Sequence, residues 1–177
     1  TLAWLLEQAG HQVVLVTRTA GEASRVEAIR GLERLPEVRL GSPVSATAAP
    51  WSGGSLAGAI AAVPAQSLAE TLFAARLPRE TPILSAAKGI ELQSARRMSE
   101  VIAAAGWDPG RIAALSGPNL AHEVARSLPA AAVVASSASA SAELWQRALA
   151  GASFRVYTSD AVVGVELAGA MKNVVAR

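Results

Sequence analysis

Short apolar runs alternate with helix-patterned stretches along the whole of this chain, and no other feature limits its fold as tightly. TLAWLLEQAGH opens with Leu2, Leu5, Leu6 and Ala9 at helical spacing, with Gly10 at a C-cap position. HQVVLVTR (11–18) follows as a β-rich run, then TAGEASRVEAIRGLERL (19–35) as a polar-faced helix. Residues 36–58, with Pro36, Pro43, Pro50, Gly53 and Gly54, read as a loop. Strands are predicted at AGAIAAVP (57–64), TPILSAAKG (81–89), IAALSGP (112–118), PAAAVVASS (129–137) and FRVYTSD (154–160). Helices are predicted at QSLAETLFAARL, SARRMSEVIAAAG, NLAHEVAR and SAELWQRALAG, with a last one from Val162. Strand–helix units of roughly 20–30 residues are the size of βαβ repeats, so the pattern predicts an α/β fold with a largely parallel sheet.

Composition narrows the class of partner. Of 177 residues, 51% are hydrophobic and 17% charged, which argues for a packed core and against disorder. The net charge is only +2, and no Lys/Arg run exceeds the pair Arg96-Arg97, which argues against nucleic acid as partner. The absence of cysteine removes disulfides, thiolate catalysis and Cys-ligated metals, and fits a reducing cytoplasm. His11 and His122 are the only histidines, so no metal site is predicted. These residues carry no signal-peptide pattern and no apolar run of about 18 residues.

In a parallel α/β sheet, ligands bind beyond the carboxyl ends of the strands. Five positions fall there: Thr17-Arg18, Val63-Pro64, Lys88-Gly89, Ser116-Gly117-Pro118-Asn119 and Ser159-Asp160. Arg18 ends the strand HQVVLVTR; in a dinucleotide-binding fold the residue ending the second strand faces the adenosine ribose, where an acid would bind the 2′-hydroxyl and an Arg would accommodate a 2′-phosphate, and an ordinary solvated Arg is the alternative. Lys88 beside Gly89 either meets an anion or sits on an exposed turn. In SGPNLAHE (116–123), Asn119 is expected as the N-cap of a helix whose first amides face a ligand, and His122 and Glu123 read equally as acid/base groups or as a solvated face. Lys172 interrupts GVELAGAMKNVVAR on a helical face with Val165, Ala168 and Gly169. A desolvated lysine there exchanges a proton near neutral pH, whereas a snorkelling one only reaches water.

Several of these segments together resemble the bacterial-type NAD(P)-dependent glycerol-3-phosphate dehydrogenases. They are LAWLLEQAGHQVVLVTR, AVPAQSL, SAAKGIE, ALSGPNLAHEVARSLPAAAVVAS and FRVYTSDAVVGVELAGAMKNVVA, in family order; the stretch 42–58 departs most from the family. The resemblance implies a Rossmann-like fold, a mostly parallel sheet with helices on both faces. Residues 1–160 would be the dinucleotide-binding domain, and 161–177 the first helix of a helical substrate domain. It implies oxidoreductase chemistry: reversible reduction of dihydroxyacetone phosphate to sn-glycerol 3-phosphate with NADPH or NADH, for glycerophospholipid synthesis. Lys172 would be the catalytic proton donor and touch substrate, and Lys88 would bridge substrate and cofactor. Gly117 and Asn119 would line the substrate, while Arg18 and Ala121 would contact the cofactor. The expected partner is a small phosphorylated molecule, with a homodimer as one assembly open to it, in the cytoplasm.

Two related readings stay open: a two-domain reductase of the 6-phosphogluconate or 3-hydroxyacid dehydrogenase type, and a non-catalytic nucleotide-binding remnant. The family opens with a strand and a Gly-rich turn and ends in a helical domain, neither of which these 177 residues contain. A piece of a longer enzyme is therefore expected, with negligible activity when isolated.

Overall fold

A computed structural model describes residues 1–175, with side chains through Lys172. The chain forms two compact units: 1–50, 118–131 and 147–156 make the first, and 51–117, 132–146 and the remainder make the second.

In the first unit, α1 (Leu2–Gln8) ends as its pattern predicts. Gly10 takes φ 86°, its amide donates to the Glu7 carbonyl and that of His11 to the Leu6 carbonyl, closing the helix and aiming the chain into a strand. That strand, β1 (Val13–Val16), leads to α2 (Ala20–Ile29), where the Thr19 hydroxyl accepts from the Glu22 amide at 3.2 Å. The helix stops well short of residue 35: Arg30 adopts a left-handed conformation, and its guanidinium donates to the carbonyls of Leu40, Gly41 and Val44. Leu35, Val38 and Leu40 then leave the helix axis to join Val13, Val26, Val44 and Ala125 in a small core. Within the expected loop 36–58, a strand appears: β2 (Val44–Thr47) pairs parallel to β1, Val13 opposite Val44 and Val16 opposite Thr47. Pairing along four residues creates this strand, and no local pattern announces it.

Most of the larger sheet belongs to the second unit. A five-stranded sheet runs in the order β3 (Ala59–Ala61), β4 (Ile83–Ser85), β5 (Ile112–Ser116), β6 (Ala130–Ala135), β7 (Phe154–Ser159). β3, β4 and β5 are parallel, while β6 is antiparallel to β5, with Ser116 opposite Val133. The amides of Ala130 and Ser136 bond the carbonyls of Ser153 and Ser159; both strands advance by the same interval, so β7 runs parallel to β6. The sheet is mostly parallel, as expected, with one reversed neighbour.

Every residue of β4 is buried, as are Ile112, Ala113 and Ala114, in keeping with strands covered on both faces. Leu68 and Leu72 of α3 (Leu68–Ala75) and Met98, Val101 and Ile102 of α4 (Met98–Ala104) pack with Ile83, Trp107 and Ile112. The Trp107 indole donates to the Thr81 carbonyl at 3.0 Å, and Arg79 lies 3.9 Å over its ring. α5 (Ala121–Ala125), α6 (Ser139–Leu149) and α7 (Val162–Val175) complete the helices.

Candidate functional site

β4 and β5 are parallel neighbours, Ser85 opposite Ala114, so their carboxyl ends emerge side by side. Lys88 follows one end and Gly117 the other. The Lys88 ammonium donates to the Gly117 carbonyl at 2.9 Å, joining the two crests directly. Gly89 carries φ 149°, and a Cβ there would lie 2.9 Å from the Ala65 Cβ, which explains glycine beside this lysine.

α7 descends onto the same place. A Cβ on Gly169 would stand 2.9 Å from the Ser116 hydroxyl and 3.8 Å from the Lys88 side chain, so only glycine lets the helix come this near. Lys172, nearly one turn on and half-buried, is close enough for its charge to act on Lys88. Partial burial, and secondarily the Lys172 ammonium, hold the Lys88 pKa below the usual lysine value. Two cations facing one corner, with one of Lys88's three donors already spent on Gly117, form a site suited to an anion or to an oxygen gaining negative charge. The Asn173 side chain lies outside the described residues.

One further residue of α7 escaped the sequence reading. Glu166 is buried, and its carboxylate accepts from the Ser99 amide (2.7 Å), the Ser99 hydroxyl (2.6 Å) and Arg97 Nη1 (2.7 Å). Its signal was present in the sequence: a lone carboxylate within GVELAGAMK is as anomalous as the lysine that follows.

The remaining expected site residues belong to the first unit. Arg18 follows β1 in a loop braced by Thr17, whose amide and hydroxyl both donate to the Thr47 carbonyl. Its own side chain is 93% exposed and meets Glu22 at 4.0 Å. Asn119 is half-buried but is not the helix cap: Leu120, in extended conformation, takes that position without a side-chain bond, and Ala121 is the first residue of a five-residue α5. The chain bends at Pro118, and Leu120 is still extended, which moves the helix start past Asn119. His122 pairs with Glu37 at 3.2 Å, and Arg126 reaches the same carboxylate at 3.1 Å, so His122 stands in a surface ion cluster. Among the described residues, no three His, Asp or Glu side chains gather as metal ligands, and no helix is long and apolar enough to cross a membrane.

Parallel strands with their binding crest, flanked by helices, define a Rossmann-like α/β protein. The chain belongs to the NAD-dependent glycerol-3-phosphate dehydrogenases: residues 1–142 match the N-terminal part of that family. It is 42% identical over 180 residues to a glycerol-3-phosphate dehydrogenase [NAD(P)+] of Mycobacterium bovis, covering 99% of this chain and 54% of the relative. The corresponding protein of Corynebacterium aurimucosum is also 42% identical, over 181 residues. The crystal structure of glycerol-3-phosphate dehydrogenase from Coxiella burnetii superposes with a TM-score of 0.83 at 30% identity, covering 99% of this chain and 55% of that one. The chain thus spans about half the length of the curated relatives it matches.

Proposed function

We propose that the whole protein containing these residues reduces dihydroxyacetone phosphate to sn-glycerol 3-phosphate with NADPH or NADH, reversibly, and so supplies the backbone of glycerophospholipids. The observation that carries this reading is the convergence of Lys88 and Lys172 at the ends of β4 and β5. A phosphorylated ketone brings a phosphate dianion and a carbonyl oxygen that becomes an alkoxide as it is reduced; a pair of ammonium groups suits both. The names of the relatives favour this substrate over that of a 6-phosphogluconate or 3-hydroxyacid dehydrogenase.

In this reading Lys172 stabilises the developing alkoxide and gives it a proton. Lys88 holds the substrate beside the cofactor, and Gly117 and Asn119 border the substrate. Arg18 and Ala121 contact the cofactor, which when bound supplies the hydride. The residues present fit the adenosine end of such a cofactor: Arg18 projects into solvent from a braced loop where a ribose 2′-phosphate would approach. Residues 1–160 then form the dinucleotide-binding domain, and 161–177 begin the substrate domain. The same reading makes the enzyme cytoplasmic, with a homodimer as one assembly open to it.

A steady-state assay of the full-length protein with dihydroxyacetone phosphate and NADPH tests it. Lys172→Ala is expected to lower kcat by about 10²–10⁴, and the isolated 177-residue chain to show negligible turnover. Wild-type turnover by the alanine variant would overturn the role of Lys172, and faster oxidation of 6-phosphogluconate would overturn the substrate.

A further inference from the structure

We propose that Glu166 is a positioning residue that sets the rotation and height of α7, and so places the Lys172 ammonium over the ends of β4 and β5. The proposal rests on the catalytic reading of Lys172 and adds how that lysine is aimed. Where α7 comes closest to β5 the residue is a glycine: Gly169 is buried against Ser116. A glycine there lets the helix approach closely but offers no side chain to interlock at the contact, so this contact specifies register poorly. Something else must fix the helix.

Glu166 meets that need. Both carboxylate oxygens are engaged: Oε1 accepts from the Ser99 amide, and Oε2 accepts from the Ser99 hydroxyl and Arg97 Nη1. One of the three donors is a backbone amide of α4, which cannot swing to follow a displaced partner. Arg97 is itself held, pairing with Glu100 at 2.8 Å and donating to the Ser99 hydroxyl at 3.1 Å. Behind them, Met98, Val101 and Ile102 of α4 are buried in the core of the second unit. The anchor therefore joins α7 to a rigid element rather than to a mobile side chain. Lys172 lies six residues further along, about 9 Å of helix rise, so rotation at the anchor is carried to the ammonium. A carboxylate whose side chain is only 5% exposed is an expensive way to stabilise a helix, since apolar residues of similar volume serve as well or better. Three directional bonds instead select one arrangement.

The test uses the full-length enzyme, with kcat, KM for each substrate and thermal unfolding measured on each variant. The double variant Glu166→Leu/Arg97→Leu replaces the ion pair by apolar volume, so its unfolding temperature should stay near wild type. Its kcat should fall about 100-fold, the penalty of an ångström-scale misplacement, while KM for NADPH stays unchanged. Glu166→Gln, which keeps an acceptor for Ser99, should recover part of the loss. Ser99→Ala deletes a single donor and keeps the test decisive should the double variant not fold; a severalfold drop in kcat at unchanged unfolding temperature is expected. Normal kcat in a folded double variant, or in Ser99→Ala, overturns the proposal. Lys172→Ala separates the two readings: if it is inactive while the Glu166 and Ser99 variants turn over normally, only the positioning role fails. If Lys172→Ala turns over normally, the catalytic reading falls and the positioning role with it.

Discussion

Arg18 and Lys88 each stand just beyond the end of a strand, one in each unit, and they are held in opposite ways. Arg18 is almost wholly in water, and its ion pair joins it only to Glu22, four residues along the same short segment. Lys88 is also exposed as a residue, but its ammonium is partly desolvated, donates across to the neighbouring strand end, and lies within the field of a second lysine. The first arrangement leaves a long side chain to be ordered when a ligand arrives, and its charge is screened by salt. The second has its donors in place beforehand, and the energy for bringing two like charges together comes from folding. Contacts that tune affinity can be built in the first way, whereas groups that act on a reacting atom need the second.

The same contrast separates two glycines, and breaking it gives the largest expected effect. Gly169→Val forces a branched side chain into the space of the Ser116 hydroxyl and the Lys88 stem. It should destabilise the fold by about 1–3 kcal/mol and lower kcat of the full-length enzyme by about 100-fold as α7 is pushed outward. Gly21, in the first turn of α2, has open space where a Cβ would go. Gly21→Ala should leave activity unchanged and stabilise by up to about 1 kcal/mol. Urea unfolding and steady-state kinetics read both, and equal behaviour of the two variants would remove the argument that α7 must approach closely.

Next in size comes Lys88. Lys88→Met removes a charged hydrogen-bonding group, and KM for dihydroxyacetone phosphate should rise by about 10- to 100-fold, the equivalent of roughly 1.5–3 kcal/mol. Its titration sharpens the point. The folded chain binds the Lys88 proton less tightly than the unfolded chain does, because of burial first and Lys172 second. Stability gained from this group therefore rises with pH between the lowered folded value and the ordinary lysine value, and the charged form is penalised below that window. Lys172→Met removes only the second cause, so the Lys88 midpoint should move up yet stay below an ordinary lysine. NMR of labelled lysine side chains measures it, and a midpoint unmoved by the substitution would show that the two ammonium groups do not sense each other.

How much of this could be read from the residues alone follows from the range of the forces involved. The strands of the second unit and most helices were legible because burial on both faces leaves continuous apolar runs, and amphipathic helices leave a repeating one. Placing Lys88 and Gly117 near strand ends was legible for the same reason, whereas Lys172 was readable only as a charge on a helix face of small residues. β2 was not, since four residues between prolines become a strand only by pairing with β1. The early end of α2 depends on Arg30 turning back to carbonyls more than ten residues ahead, a tertiary fact. The shifted start of α5 was hidden because Asn119 is a good cap in isolation, while in the fold the extended Leu120 takes that position. Glu166 was legible as an anomaly, but its partners, 67 and 69 residues earlier in sequence, were not.

Arg18→Ala tests the solvated side of the comparison and should have a smaller effect. An exposed pair with Glu22 adds nothing measurable to stability, so the unfolding temperature should not change. If the guanidinium meets a ribose 2′-phosphate, KM for NADPH should rise by about tenfold, near 1.4 kcal/mol, while KM for NADH stays as it was. An equal change for both cofactors would mean that Arg18 is an ordinary surface arginine and that preference between them is set elsewhere.

The smallest effect is expected at Glu37, whose ion cluster with His122 and Arg126 lies on the surface of the first unit. Its carboxyl is held below the usual range by its own backbone hydrogen bond first, then by bonds from His122 and Arg126. A depressed acid contributes stability above its unfolded value and loses it as pH falls through the folded one. Glu37→Gln should therefore be slightly destabilising at neutral pH, and the difference from wild type should vanish in acid. Activity of the full-length enzyme should not respond, because this cluster braces a loop and touches no group assigned to substrate. Urea titrations at several pH values follow the first part. A loss of turnover in Glu37→Gln would return His122 to consideration as an acid/base group, and would mean that this surface cluster can matter to catalysis as much as the paired lysines do.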